Sequence, residues 1–207
     1  WFLAAGVRTP EHELIRRVDG TLEKLGMPVV VKPPRQGSSV GITIVRDPEA
    51  LPSALAEAFR YDSPVLVERF HEGREMTVGV LGGEALPVVE IRPREGFYDY
   101  EHKYTAGASE YLVPAPVGPA ETRDMQDQAL RAFRAMGPGA VYGRVDVILD
   151  REGRGWVLEV NTIPGMTEVS LLPKAAAAAG LDFGALCVRI MELSMNRPRI
   201  GRGGGAA

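Results

Sequence analysis

Two acidic segments near the end of this 207-residue chain constrain its fold most: Gly143-Arg144-Val145-Asp146-Val147-Ile148-Leu149-Asp150 and Trp156-Val157-Leu158-Glu159-Val160-Asn161. Each alternates polar and apolar residues, the repeat of a strand with one buried face. The stretch Asp150-Arg151-Glu152-Gly153-Arg154-Gly155 between them reads as a turn, so a hairpin is expected. Pairing Asp146 with Glu159 also pairs Arg144 with Asn161. All four side chains then leave one face, with directly opposed residues ~4.5–5.5 Å apart. Two carboxylates and an amide oxygen at that spacing suit a hard cation such as Mg²⁺, which completes its shell with water and phosphate oxygens. The alternative is a solvated sheet face with a cross-strand Arg–Glu pair.

Composition narrows the class. With 45% hydrophobic and 25% charged residues the chain has the make-up of a soluble globular protein with a substantial core. A net charge of -3 gives no electrostatic case for nucleic acid or an anionic membrane as partner. No apolar run is long enough to span a bilayer, and the start has no signal-peptide pattern. Cys187 is the single cysteine, which excludes an internal disulfide and fits a reducing, cytoplasmic setting. It lies in a helical pattern and reads as a core thiol. The chain opens on Trp1 rather than Met, which suggests sequence upstream.

Up to residue 26 the pattern predicts a short helix end, an extended piece over Glu13-Leu14-Ile15-Arg16 and a short helix closed by Gly26. Pro28-Val29-Val30-Val31-Lys32 reads as a buried strand, with Gly41-Ile42-Thr43-Ile44-Val45 as its partner. Asp47-Pro48 supply an N-cap and a first-turn proline for a helix with Leu51, Leu55 and Phe59 on one face. Val65-Leu66-Val67-Glu68 is another buried strand, and residues 76–81 and 85–91 form a hairpin across Gly82-Gly83. From 93 to 117 the regular pattern stops, around Phe97-Tyr98-Asp99-Tyr100-Glu101-His102-Lys103-Tyr104-Thr105. Irregular stretches of that length are usually lids or binding loops. A helix over 119–136 turns Met125, Leu130 and Phe133 inward; the acidic hairpin and two helices, near 171–179 and 182–195, complete the chain. The expected class is α+β, antiparallel strands flanked by helices in two lobes, 1–75 and 76–207.

Three further constellations carry chemistry. Pro33-Pro34-Arg35-Gln36-Gly37-Ser38-Ser39-Val40-Gly41 joins two strands. Its Gly and Ser residues let backbone N–H groups form an anion nest, with hydroxyls of Ser38 and Ser39 as donors and Lys32 in reach. An ordinary polar hairpin loop is the competing reading, and the Walker A order is absent. Glu68 ends a buried strand and Glu75 follows at the lobe boundary. Such carboxylates accept from an adenine amino group and ribose hydroxyls, or are simply surface glutamates near a turn. Finally, residues 161–173 lead from the acidic strand into a helix start at Ser170, a carboxylate site if its N–H groups are available, or a plain cap. His12, His71 and His102 share no metal-ligand spacing.

In order, Val31-Lys-Pro-Pro-Arg-Gln-Gly-Ser-Ser-Val-Gly41, Val67-Glu-Arg-Phe70, Phe97-Tyr-Asp-Tyr-Glu-His-Lys-Tyr104, Gly143-Arg-Val-Asp-Val147 and Leu158-Glu-Val-Asn-Thr-Ile-Pro-Gly-Met-Thr167 resemble the D-alanine–D-alanine ligase family of the ATP-grasp superfamily. The resemblance runs from about Ala5 to Leu193. It implies the ATP-grasp fold with nucleotide between two α+β lobes, and a family N-terminal domain, with a substrate-orienting glutamate and an early ATP-binding lysine, lying outside this chain.

The resemblance implies roles as well. Lys32 and Ser39 contact phosphate; Glu68 faces the adenine, Glu75 the ribose, and backbone at Arg69, Phe70 and His71 lines the adenine pocket. Asp146, Glu159 and Asn161 hold two Mg²⁺ (or Mn²⁺), and Arg144 and the Gly165 N–H stabilise the oxyanion. Ser170 and the Leu171 N–H anchor the second substrate's carboxylate. Lys103 and Tyr104 lie in a mobile loop locked by a Ser38–Tyr104 hydrogen bond, with tyrosine favouring an amine nucleophile. The implied activity is ATP-dependent joining of two D-alanines for peptidoglycan synthesis, by a cytoplasmic homodimer. Gln36 stands where the family usually has glutamate, and Val169 where a polar residue is common. Competing expectations are a related dipeptide or depsipeptide ligase and a non-catalytic nucleotide-binding module. The 207-residue segment alone is expected to be inactive.

Overall fold

Val29, Val31, Val65 and Val67 are fully buried at alternate positions, and this alternation builds the first sheet of the computed structural model. The structure describes residues 1–19, 21–37, 39–93 and 109–196. The chain divides into two compact units, one on Pro10–Glu72 and Arg92–Glu110 and the other on Trp1–Thr9, Gly73–Ile91 and from Tyr111 onward. Among the described residues, 1–9, 73–75, 92–93 and 109–110 group differently from the expected 1–75 and 76–207; the first nine join the second unit, whose core buries Val7.

In the unit on Pro10–Glu72, β1 (His12–Ile15), β2 (Val29–Lys32), β3 (Thr43–Val45) and β4 (Val65–Arg69) form an antiparallel sheet in the order β1-β4-β2-β3. Helix α1 (Leu51–Phe59) lays Ala54, Leu55 and Ala58 on the valine face. Alternation sends Val30, Lys32, Leu66 and Glu68 to the other face. The short helix expected before Gly26 does not form. Glu13 on β1 takes the N–H groups of Glu23, Lys24 and Leu25 at 2.8–2.9 Å, holding the segment as a turn. Pro28, shortly beyond, denies a helix any room to continue.

Centred on the other unit are β5 (Gly73–Leu81), β6 (Glu84–Pro93), β7 (Ser109–Leu112), α2 (Pro119–Ala135), β8 (Tyr142–Asp150), β9 (Gly155–Asn161), α3 (Leu171–Ala178) and α4 (Phe183–Met195). Its sheet runs β7-β6-β5-β8-β9. Strand β7 falls inside the stretch expected to be irregular: its ladder bonds to the sheet outweigh a weak local pattern. One sheet face, with Met76, Val78, Val80, Val145, Val147 and Val157, packs on Met125, Ala129, Ala132 and Phe133 of α2. On the other, Leu81, Leu86 and Val89 meet Leu172, Ala175 and Ala176 of α3 and Leu186 of α4. The remainder of that second face carries Glu75, Thr77, Arg144, Asp146, Glu159 and Asn161.

The hairpin register is the expected one, Asp146 opposite Glu159 and Arg144 opposite Asn161. The alternation behind it is interrupted. Val147 pairs with Val157 while Asp146 pairs with Glu159, so Leu158 is surplus and forms a β-bulge. An unbroken ladder from the Val147–Val157 pair would have set Glu159 opposite Val145, on the core face. The bulge brings Glu159 and Asn161 round to Asp146.

Candidate active site

Asp146 is the hub of the acidic face. Its Oδ1 accepts from Thr77 Oγ1 and Arg144 Nε, both at 2.8 Å. Its Oδ2 accepts from Arg144 Nη2 at 2.8 Å and Asn161 Nδ2 at 3.0 Å. Asn161 Nδ2 also reaches Glu159 Oε1 at 3.0 Å, so one amide bridges the two carboxylates. Arg144, expected to face a reacting carbonyl, here forks onto Asp146, a bidentate pair with both side chains 22% exposed. Among the described residues no three His, Cys, Asp or Glu side chains converge. Two carboxylates with an amide is nevertheless the donor set Mg²⁺ takes when phosphate and water complete its shell. A donor N–H already occupies the point between the carboxylates where positive charge is favoured, and the set fits a hard divalent cation.

Beyond Asn161 the chain turns into α3. Ser170 is the N-cap by position, yet its hydroxyl does not cap its own helix. It accepts the Thr167 N–H at 3.1 Å and lies 2.8 Å from Thr167 Oγ1, because the turn before the helix folds back on it. A Cβ at Gly165 would stand 3.1 Å from Ser170 Oγ, so glycine lets residue 165 lie against the helix start that Leu171 opens. Val169 is 72% exposed beside it.

In the other unit, Lys32 Nζ lies 2.6 Å from Glu68 Oε2, with only 15% and 7% of the two side chains exposed. Sequence reasoning assigned the two residues separately; the structure joins them. The loop after Lys32 is a chain of turns: Gln36, Val40 and Ile42 donate N–H to the carbonyls of Pro33, Gly37 and Ser39. Ser39 sits at φ 62°, the left-handed region. Arg35 anchors this loop through backbone and guanidinium bonds to Asp62. The Arg35 hydrogen bonds hold the Asp62 carboxyl well below the usual range, at about 2. Gln36 Nε2 donates to the Tyr61 carbonyl at 3.4 Å, which an ionised glutamate there could not do.

At the end of β4, the N–H groups of Arg69 and Phe70 are engaged by the carbonyls of Glu11 and Pro28 at 2.8 and 3.0 Å. The Arg69 guanidinium pairs with the Glu11 carboxylate at 2.7 Å, and Arg46 stacks 5.1 Å from the Phe70 ring centre. His71 links β4 to β5, on which Glu75 stands opposite Ile148. Ser38, Lys103 and Tyr104 lie outside the described residues.

Residues 4–192 match the family model described as D-ala D-ala ligase C-terminus. The chain belongs to the D-alanine–D-alanine ligase C-terminal family. It is 51% identical over 196 residues to a D-alanine–D-alanine ligase of Methylacidiphilum infernorum, covering 95% of this chain and 64% of that protein. The crystal structure of the Bacillus anthracis ligase superposes with a TM-score of 0.80 at 36% identity, covering 94% of this chain and 64% of that one. The same ligase complexed with ATP gives 0.77 at 34% identity, covering 94% and 63%. The VanG D-Ala:D-Ser ligase of Enterococcus faecalis gives 0.78 at 31%, covering 93% and 59%. The chain thus spans less than two thirds of the length of each of these relatives. Its α+β architecture is the ATP-grasp fold.

Within this family member, sequence reasoning missed groups that support the site. Thr77, 1% exposed, is one; only its register opposite Asp146 reveals it. Asp150 is another. It accepts from the N–H groups of Glu152 and Arg154 at 3.0 and 2.9 Å, from Arg154 Nε at 3.0 Å and from Trp156 Nε1 at 2.8 Å. Burial pushes its carboxyl up, but the bonds from Trp156 and Arg154 more than offset this and leave it at about 2. That lies below the unfolded value of ~3.9, so its stabilisation is complete above about pH 4 and lost as pH falls towards about 2. The Trp156 indole N–H resonance, followed by NMR during acidification, is expected to move only below about pH 4. A shift centred at about pH 5 would contradict the depressed value.

Proposed function

We propose that the protein carrying this chain is an ADP-forming D-alanine–D-alanine ligase serving cell-wall precursor synthesis. ATP phosphorylates the carboxylate of one D-alanine, and the amine of a second attacks the D-alanyl phosphate, releasing phosphate. The carrying observation is the bulged β8–β9 register, which gathers Asp146, Glu159 and Asn161 beside Arg144. The identity to proteins named D-alanine–D-alanine ligase and the likeness to one complexed with ATP support the same reading.

Lys32, whose charge is held by Glu68, contacts phosphate oxygens together with Ser39. Glu68 accepts from the adenine amino group, the carbonyls of the Arg69–Phe70–His71 segment line the base, and Glu75 accepts from the ribose. Asp146, Glu159 and Asn161 hold two Mg²⁺ or Mn²⁺, which when bound neutralise phosphate charge during transfer. Arg144, oriented by Asp146, and the Gly165 N–H donate to the oxyanion of the tetrahedral adduct, a role worth ~3–4 kcal/mol per donor. Ser170 and the Leu171 N–H, at the positive end of α3, hold the second D-alanine's carboxylate. Ser38, Lys103 and Tyr104 keep the lid role the resemblance gives them, excluding water from the acyl phosphate. The reading places the protein in the cytoplasm, where ATP is available, and carries over from the family resemblance a homodimer.

The test is phosphate release by the full-length protein with ATP, Mg²⁺ and a panel of D- and L-amino and hydroxy acids. D-alanine alone is expected to support turnover and yield the dipeptide. The likeness to a D-Ala:D-Ser ligase favours one second reading, a different second substrate. Turnover only when another acid accompanies D-alanine would select it, and ATP binding without turnover would leave a nucleotide-binding module.

A further inference from the structure

Arg8 belongs to the same unit as the acidic cluster, and its N–H, carbonyl and guanidinium are all engaged. The N–H donates to Gln128 Oε1 at 2.7 Å, and the carbonyl accepts the Val157 N–H at 2.9 Å. The guanidinium forks onto Asp124 at 2.7 and 3.1 Å and reaches the Gly155 carbonyl at 3.2 Å. Asp124 Oδ2 in turn accepts the Gly155 N–H at 2.9 Å. Both polar backbone groups of Gly155 and the N–H of Val157 are therefore fastened from outside the β8–β9 ladder. The close approach needs glycine: a Cβ at 155 would stand 2.9 Å from Met125 Cγ and 3.2 Å from Val147 Cγ1.

The fastened stretch ends one residue before the bulge. A bulge can move along a strand where successive pairings are similar in quality, and each step turns a side chain to the other face. Glu159 is the next residue beyond Leu158, so its aim depends on where the surplus residue sits. Arg8 and Asp124 are 30% and 29% exposed, shielded enough for the fork to hold better than a fully solvated pair.

We propose that Arg8 is a positioning residue for the acidic cluster: by fastening Gly155 and Val157 it confines the surplus residue to Leu158, so that Glu159 and Asn161 emerge beside Asp146 to hold a divalent cation. The inference rests on the cation reading of that cluster. The test titrates Mn²⁺ alone into the full-length protein and its variants, following free Mn²⁺ by electron paramagnetic resonance, with thermal unfolding and Val157 and Glu159 amide exchange alongside. Arg8→Ala removes the guanidinium bonds to Asp124 and Gly155 while the backbone carbonyl stays on Val157, and is expected to weaken Mn²⁺ binding ~10-fold, as loss of groups that orient metal ligands commonly does. Arg8→Lys, which keeps a cation for Asp124 but not the fork, falls between. If the wild-type protein takes up no Mn²⁺, the cation reading falls and this proposal with it. If the wild type binds Mn²⁺ and Arg8→Ala stays within about twofold of it while melting earlier, only the proposal falls, and Arg8 merely stabilises the unit. Should Arg8→Ala not fold, Arg8→Lys decides: a severalfold loss of Mn²⁺ affinity supports the proposal and wild-type affinity overturns it.

Discussion

Asp146→Asn is expected to lower ATP-driven ligation by roughly 10³-fold or more while leaving the fold in place. The carboxylate does two things at once. It fixes Arg144 through both guanidinium contacts, and in the proposed function it also supplies a hard oxygen ligand to the cation. Loss of one oxyanion donor alone typically costs ~10²–10³-fold in turnover. An amide of the same shape still accepts from Thr77 and Arg144 through its oxygen, but its NH₂ then faces donors on Arg144 and Asn161. Phosphate release with D-alanine, measured beside far-ultraviolet circular dichroism, checks the prediction. Turnover at the wild-type level would mean that the acidic face is only a structural platform.

The second large effect concerns stability and nucleotide binding together. Lys32→Ala leaves the Glu68 carboxylate, 7% exposed, without its cation partner. Breaking a buried pair from one side costs ~3–5 kcal/mol. Replacing both partners, Lys32→Met with Glu68→Leu, is expected to be neutral or stabilising by ~1–4 kcal/mol, because neither desolvated charge remains. Both variants are expected to lose ATP binding, since the proposed phosphate and adenine contacts go with the charges. Chemical denaturation and ATP titration separate the two quantities. A double variant as unstable as Lys32→Ala would show that the pair is more than a compensated burial, and ATP binding by Lys32→Ala at wild-type affinity would remove lysine from the phosphate site.

The parts of the fold that were legible in the sequence are those written as local periodicity. Short apolar runs, Val29-Val30-Val31 and Val65-Leu66-Val67, predict β2 and β4, and the spacing of Leu51, Leu55 and Phe59 predicts α1. The Asp146–Glu159 register was legible because it puts Arg144, Asp146, Glu159 and Asn161 on one face across a short turn. The bulge behind it was not, because in Trp156-Val157-Leu158-Glu159 the valine and the glutamate stand two apart and read as sharing a face. The turn at residues 23–25 was missed for a similar reason: a carboxylate ten to twelve residues away takes the N–H groups that would have begun a helix. Arg8 and Asp124, 116 residues apart, leave no local trace of their pairing. Lys32 and Glu68 were each recognised, but the contact that joins them arises from strand order, which periodicity does not encode.

The surplus residue in β9 also bears on how such sites can be recognised by counting. Twelve residues separate Asp146 from Glu159 in this chain. Removing Leu158 would leave eleven, yet Val147 would still meet Val157, Asp146 would still meet Glu159 and Arg144 would still meet Asn161. A one-residue deletion elsewhere in a half-buried strand exchanges its two faces; here it would leave them unchanged. Hairpins of either length can therefore present the same three side chains, and a search by fixed spacing would separate chains that share one arrangement.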